Sequence, residues 1–317
     1  MFLFRKPLTV RSSAVLLALC TVTVALSACA PEPAKPAATA APPTQEPTAV
    51  PGEELCGPGS AITFVSSDFQ AAPTIDNKWL PLEPGMQYTL EGTVTSADGV
   101  EERRVVHTVT GLSKVIHGVP TRVLWDRDYA DGELAESELA FFAQTSQGSV
   151  WLLGEYPEEF EEGQFVGAPS TFMSGVDGAT AGIVMPASPQ IDTPAHIQAH
   201  APSVDFLDCG EVFLENQKTC VPSDCYEDVL IIDETNPLEP TDGHQRKSYS
   251  AGVGNVRVTA EGGADQEVLS LVKITRLSAA ELDAVNAEAL SQDERAYAVS
   301  PDVYGTTPRA VVETSGT

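Results

Sequence analysis

The stretch Arg122–Tyr156, RVLWDRDYADGELAESELAFFAQTSQGSVWLLGEY, constrains the fold most. Its apolar residues come in short runs separated by turn chemistry. Asp131-Gly132 supplies the positive φ angles of a type I′ turn, whose twist matches that of paired strands. Gln147-Gly148 is a weaker version of the same signal. The stretch therefore predicts three antiparallel strands joined by two tight turns. It also holds two of the three tryptophans, Trp125 and Trp151, and the Phe141–Phe142 pair, so much of the core should lie here.

The same rhythm extends on both sides. A strand is expected over Met86–Val94, where Met86, Tyr88 and Leu90 alternate with polar residues, then a hairpin at Asp98-Gly99 and a return over Arg103–Thr110. Val115–Val119 and Thr121–Arg127 follow, with Gly118 at the turn between them. Further strands are expected at His196–His200, Gly210–Leu214, Gln217–Val221, Cys225–Thr235, Arg246–Ala251, Asn255–Ala260 and Glu267–Leu277. Pro157–Gln190, dense in Gly, Pro and Glu, breaks the rhythm and reads as a long surface excursion. Near the end, Ser278 and Glu281 form a capping box, and Leu282, Val285, Ala289 and Leu290 recur at helical spacing. The fold class expected is mainly β: a curved antiparallel sheet or open barrel, with a C-terminal α-helix over residues 279–295.

The N-terminus reads as address rather than structure. Arg5, Lys6 and Arg11 precede an apolar run over Ser13–Ser27, which ends in Leu26-Ser27-Ala28-Cys29. Leucine, two small residues and cysteine match the lipobox of bacterial lipoproteins. Residues 1–28 are then a signal peptide, and Cys29 carries lipid and becomes the new N-terminus. A transmembrane anchor is the rival reading, but the apolar run falls short of the ~20 residues a span needs. Ala30–Glu53, almost wholly Pro, Ala, Thr and Glu, reads as a tether. One folded domain, Glu54–Thr317, remains, long enough to bury a large core.

Charge and cysteine usage limit the partners. The chain has 18 basic and 45 acidic residues, a net charge of −27, and loss of the leader makes it more negative. Such a field repels nucleic acid and anionic headgroups, so any membrane contact must come through the lipid on Cys29. Outside the cytoplasm the four cysteines left after Cys20 and Cys29 read as disulfides. Cys220 and Cys225 flank a four-residue turn and should face each other across a hairpin, leaving Cys56 to pair with Cys209. A zinc site is the alternative, with loose C-x4-C spacing against it.

Several segments, taken in chain order, carry a resemblance to known proteins. They are Trp79–Gly85 (WLPLEPG), Asp126–Glu136 (DRDYADGELAE), Gly148–Glu155 (GSVWLLGE), Gly182–Ala187 (GIVMPA), Ala251–Gly254 (AGVG) and Ser300–Gly305 (SPDVYG). In these the chain resembles a family of bacterial secreted proteins and lipoproteins that has no established activity. The resemblance covers most of Asn77–Pro308. It implies a mostly β fold and an exported location, and transfers no functional residue. Two departures stand out: Leu152-Leu153 replaces the family's aromatic pair, and His196–Cys225, with its extra cysteines, matches poorly.

Few constellations suggest chemistry. Asp126, Asp128, Asp131 and Glu133 crowd one hairpin and could bind calcium, but the D-x-D-x-x-D-G spacing is out of register with an EF-hand loop. A solvated, charged hairpin tip is the plainer reading. His196 and His200 share one side of their segment and read as surface histidines. No nucleophile elbow, zinc-protease helix or phosphate-cradling loop occurs, so no catalytic residue and no cofactor are expected. Phe160, Phe165, Phe172 and Met173 in the Pro157–Gln190 excursion want a surface to cover, and predict a lid over the concave face of the sheet. The leading expectation is a tethered, non-enzymatic envelope protein binding an apolar or amphiphilic, lipid-like ligand. The alternatives are a structural or protein-interaction lipoprotein with a filled core, and a hydrolase.

Overall fold

The computed structural model describes residues 54–313. The expected signal peptide over residues 1–28, Cys29 and the expected tether over residues 30–53 lie outside the described residues. What remains is a β-barrel with one long helix on its flank.

Fifteen strands are present among the described residues. In chain order they are β1 Met86–Ser96, β2 Gly99–Ile116, β3 Val119–Ala130, β4 Glu133–Gln144, β5 Val150–Glu161, β6 Gln164–Gly167, β7 Phe172–Met173 and β8 Thr180–Met185. β9 His196–Ala201, β10 Phe206–Val221, β11 Asp224–Thr235, β12 His244–Ser250, β13 Gly254–Glu261, β14 Gln266–Arg276 and β15 Val311–Val312 follow, with α1 Ala279–Val299 before the last. Twelve of them form a ring in the order β1, β14, β13, β12, β11, β10, β9, β8, β5, β4, β3, β2. A β1–β2 pairing running from Gln87↔Thr108 to Ser96↔Gly99 closes it. Every pairing in the ring is antiparallel, and mostly between neighbours in sequence, as short hairpin connections demand.

Local chemistry explains the hairpins. Asp131 and Gly132 have φ of 47° and 87°, and His117 and Gly118 have 49° and 80°. Both are two-residue turns with positive φ at each centre, the pattern that keeps right-twisted strands together. The first hairpin differs slightly from expectation: Ser96 pairs with Gly99, so the turn is Ala97-Asp98 and Gly99 opens β2.

Three further expectations are corrected. Pro157–Gln190 is not one surface excursion. β5 runs on to Glu161, turns at Glu162-Gly163, and the segment then supplies β6, β7 and β8. Proline and glycine density concealed strands that are edge-paired or only two residues long. The segments Gly210–Leu214 and Gln217–Val221 are one strand, β10, bulged against β11 at Val212/Leu214 and Leu214/Gln217. The helix continues past residue 295 to Val299.

The capping box is formed: Ser278 accepts from the Glu281 amide, and the Glu281 carboxylate accepts from the Ser278 amide at 2.7 Å. The face α1 buries is mostly polar, with Asn286, Gln292 and Asp293 beside Ala289 and Ala296. Val285 and Leu290 are only partly buried against the core. A helix read by apolar spacing alone gives Leu282, Val285 and Leu290 more weight than the structure does.

The wall has a core on its outer side. α1 and the chain after it cover the outer face of β2–β5, where Val123, Trp125, Leu139, Phe141, Trp151, Leu153 and Tyr304 form one cluster. The N-terminal segment covers the neighbouring wall, with Leu55, Cys56 and Ile62 over Ile197, Leu207 and Cys209. A disulfide joins Cys56 to Cys209, and a second joins Cys220 to Cys225 across the β10–β11 hairpin.

Candidate ligand site in the barrel lumen

Strand alternation sends the other set of side chains inward. Eight-stranded barrels are just filled by their own side chains. Twelve strands at ~4.8 Å spacing, tilted ~40°, enclose a ring roughly 24 Å across if round. What lines this lumen therefore decides what the barrel can hold.

The lining is sorted by chemistry along the barrel axis. Going from the α1-proximal end toward the β3–β4 turn, inward positions on β3 read Leu124, Asp126, Asp128, and on β4 Phe142, Ala140, Glu138, Glu136. In the same direction β5 passes from Leu152 to Glu155, β10 from Val212 through Gly210 to Asp208, and β11 from Leu230 and Ile232 to Glu234. On β14 the order is Leu271, Leu269, Glu267, and on β12 Tyr249, Lys247, Gln245. One half of the lumen is apolar and the other is acidic. That these groups face one interior is clear from their mutual fields: Asp128 on β3 acts on Glu267 on β14, and Glu155 on β5 acts on Asp208 on β10.

Some of the carboxylates have cationic or amide partners. Asp126 pairs with His107 and Asp128 with Arg103 at 3.6 Å. Glu234 accepts from Lys247 at 2.5 Å and from Gln198 at 3.0 Å, and the Tyr249 hydroxyl donates to it as well. Glu267 accepts from Gln245 at 2.7 Å. Others lack such partners. Both oxygens of Asp208 have no hydrogen-bond donor among the described residues, although the residue is 1% exposed. Glu138 Oε1, Gln198 Oε1 and His196 Nε2 are in the same condition.

Burial and crowding hold protons here. Burial, then the fields of Asp128 and Asp126, push the Glu136 carboxyl up to about 8. Burial and the nearby Glu155 raise Glu138 well above the usual carboxylate range, and burial with Glu234 and Glu155 does the same to Asp208. Glu267 is pushed up to about 7 and Asp128 to about 6, in both cases chiefly by burial, with Arg103 opposing. Burial lowers His196 to about 4, so that imidazole is neutral near pH 7.

The residues singled out in the sequence are dispersed. Asp126 and Asp128 point into the lumen, while Asp131 and Glu133 sit at the exposed turn, so the four do not form one solvated tip. Among the described residues no group of three or more His, Cys, Asp or Glu is placed to hold a metal ion. His196 is buried in the lumen and not at the surface. Phe172 and Met173 are fully buried in β7, with Phe172 stacked on Phe206 at 5.1 Å between centroids. Phe160 meets Phe165 edge-on across the β5–β6 hairpin, and Phe165 is 45% exposed. These four side chains do not make a common cap. The segment that reaches across the wall is the disulfide-clamped β10–β11 hairpin: Ser223 N–H donates to Leu271 O at 3.1 Å, beyond the point where β13 stops pairing with β14.

Asp208, Gln198, Glu138 and Glu234 do not stand out in the sequence, and His196 stands out there only as a surface histidine. The available signal was acidic residues at inward parity in otherwise apolar strands, and it becomes readable only once closure defines which side is inside.

No protein-family model matches the chain, and no curated protein matches it. Among solved structures it is similar to a Bacteroides fragilis protein described as exported, with a YmcC-like fold, at 13% identity and a TM-score of 0.33, covering 62% of this chain and 98% of that one. It is also similar to a Parabacteroides distasonis protein described as a lipoprotein, at 12% identity and a TM-score of 0.29, covering 62% of this chain and 97% of that one. Likeness at this level carries no argument about what the chain binds. No helix among the described residues is long and apolar enough to cross a membrane.

Proposed function

We propose that this chain is a lipid-anchored extracytoplasmic binding protein that takes an amphiphilic ligand into its barrel lumen. The lipobox ending at Cys29 and the Pro/Ala-rich tether support the anchor; the acidity of the chain supports attachment through lipid rather than through a basic surface. The observation that carries the binding reading is the sorting of the lumen: six strands change from apolar to acidic lining in one direction along the axis. An amphiphile lying along that axis meets apolar side chains at one end and hydrogen-bonding groups at the other. A sheet filled only for stability has no need to bury carboxylates without donors, since each unsatisfied group costs on the order of 1–3 kcal/mol.

Two measurements test this reading. Native mass spectrometry of the purified chain should show a retained small molecule, or uptake of a neutral fluorescent amphiphile at one per chain. A chain that neither retains nor takes up any amphiphile is not a lumen-binding protein. Cys29→Ser should move the protein from the membrane fraction to the soluble one; unchanged membrane association would overturn the lipid anchor.

A further inference from the structure

We propose that the head group received by the acidic half of the lumen is an organic cation, an ammonium or guanidinium group that donates to Asp208, Glu138 and Gln198. This rests on the amphiphile reading for the ligand's tail and goes beyond it for the head.

The unpartnered buried atoms of the lumen are almost all acceptors. Asp208 Oδ1 and Oδ2, Glu138 Oε1, Gln198 Oε1 and Gln245 Oε1 lack a donor among the described residues. Only a donor-rich group can satisfy that set. A hydroxyl head would bring donors but no charge. Lys247 is committed to Glu234 and Arg103 to Asp128, so Asp208, Glu138 and Glu136 have no cation of their own among the described residues. A carboxylate or phosphate head would add one more anion to this crowd, whereas an organic cation takes the place of the protons these carboxyls hold and leaves each oxygen an acceptor.

The second line of support does not depend on carboxylates. His196 Nε2 and Gln198 stand side by side above Gly210 on the neighbouring strand. A Cβ at Gly210 would lie 2.8 Å from both His196 Nε2 and Gln198 Nε2, so glycine leaves the room these side chains occupy. His196 is 8% and Gln198 0% exposed, yet His196 Nε2 and Gln198 Oε1 have no partner. Buried polar atoms are normally paired, and those left open at one spot mark a place where something else binds. A bare metal ion does not fit, because no three candidate ligands converge among the described residues. A guanidinium spreads its N–H donors over three nitrogens, and an ammonium needs only two or three acceptors, the amide oxygen of Gln198 among them. In a low-dielectric interior a charge-assisted hydrogen bond of this kind is strong as well as selective.

Isothermal titration of the full chain with octylammonium, octanol, octanoate and the tailless diamine putrescine tests the proposal. Octylammonium should bind about tenfold tighter than octanol or better, with octanoate weakest. Asp208→Asn and Glu138→Gln should each remove about tenfold of the ammonium affinity and leave octanol unchanged. Equal affinity for octylammonium and octanol overturns the cationic head and leaves the amphiphile reading standing. Putrescine binding as tightly as octylammonium supports the cation site and overturns the amphiphile. No binding by any probe overturns both. The ranking of the probes is read on the unmodified chain, so it decides the matter even if a variant fails to fold.

Discussion

Strands β2–β5 have two faces, and the two are built on opposite rules. Outside, beneath α1, the buried polar groups of the helix interface find partners. Trp125 Nε1 donates to Ser137 Oγ and Gln292 Oε1 at 2.9 and 3.0 Å, and Gln292 Nε2 donates to Ser137 O at 2.6 Å. Lys114 Nζ donates to Asp293 at 3.0 Å, to Tyr297 at 2.9 Å and to Pro308 O at 2.7 Å, while the Tyr304 hydroxyl reaches the same Asp293 at 2.6 Å. Glu158, fully buried, holds Arg295 at 2.7 Å and Tyr156 at 3.0 Å. Inside, one residue away on the same strands, acceptors are left open and like charges crowd together. A buried network that is complete fixes a structure, and one left incomplete is where function is to be sought. The outer face holds the barrel wall in place so that the inner face can remain unsatisfied.

The contrast is sharpest at two consecutive residues of β10. Cys209 faces outward into its disulfide and Asp208 faces the lumen. Cys56→Ser opens a cross-link with a sequence separation of 153. It should cost about 5 kcal/mol, lowering the melting temperature by roughly 10 °C or more. Asp208→Asn should leave melting unchanged or raise it, because burial and the neighbouring Glu234 and Glu155 already oppose ionisation of that carboxyl and a neutral amide of the same shape removes the conflict. If Asp208→Asn proves the more damaging of the two, the lumen carboxylates are structural and the comparison fails.

Lys114→Met attacks the outer network directly. It leaves Asp293 buried without its cation, at a cost of about 3–5 kcal/mol in denaturant unfolding. Adding Asp293→Asn should recover part of that loss. A loss below 1 kcal/mol for the single change would mean that the Lys114–Asp293 pair does not hold α1 to the wall.

The lumen should also reveal itself in pH dependence. Glu136 and Glu267 titrate near 8 and 7 when folded, because of burial and neighbouring carboxylates, and near ordinary carboxylate values when unfolded. The native state then holds protons that the unfolded chain has released, so stability falls as pH rises through that range. His196, lowered to about 4, and Lys114, lowered to about 8, act with the opposite sign below and above it. Asp126, Asp128, Glu138, Glu155, Asp208 and Glu234 face the same interior, as do the basic side chains Arg103, His107 and Lys247. From pH 6.5 to 8 the melting temperature should drop by about 5 °C. A flat or rising profile there would show that the carboxyls are not crowded.

The smallest effect is expected at Phe165. Its ring is exposed on the β5–β6 hairpin, so Phe165→Ser should change stability by less than about 0.5 kcal/mol. Phe172→Ala, from the fully buried ring of the same segment, should cost about 3–5 kcal/mol. Similar costs at both positions would restore the idea of a joint cap.

Much of this fold was present in local sequence. The Asp131-Gly132 and Gly118 turns, the alternation in β1 and the Ser278–Glu281 cap act over a few residues, so short-range chemistry sufficed to define them. The two-residue β7 and the edge strand β6 were not visible, because their pairing with β5 depends on an already formed wall. The polar buried face of α1 was hidden for the same reason: Gln292 and Asp293 are acceptable in a core only because Trp125, Ser137 and Lys114 await them. The site was less legible still. Asp126 and Asp128 could be placed on one face of a strand from spacing alone, but whether that face met water or an interior depended on the β1–β2 pairing that closes the ring. Sequence determined the strands, the turns and the compartment to be expected, since each rests on nearby residues. Tertiary structure alone decided the inside, since an inside exists only when strands distant in the chain meet.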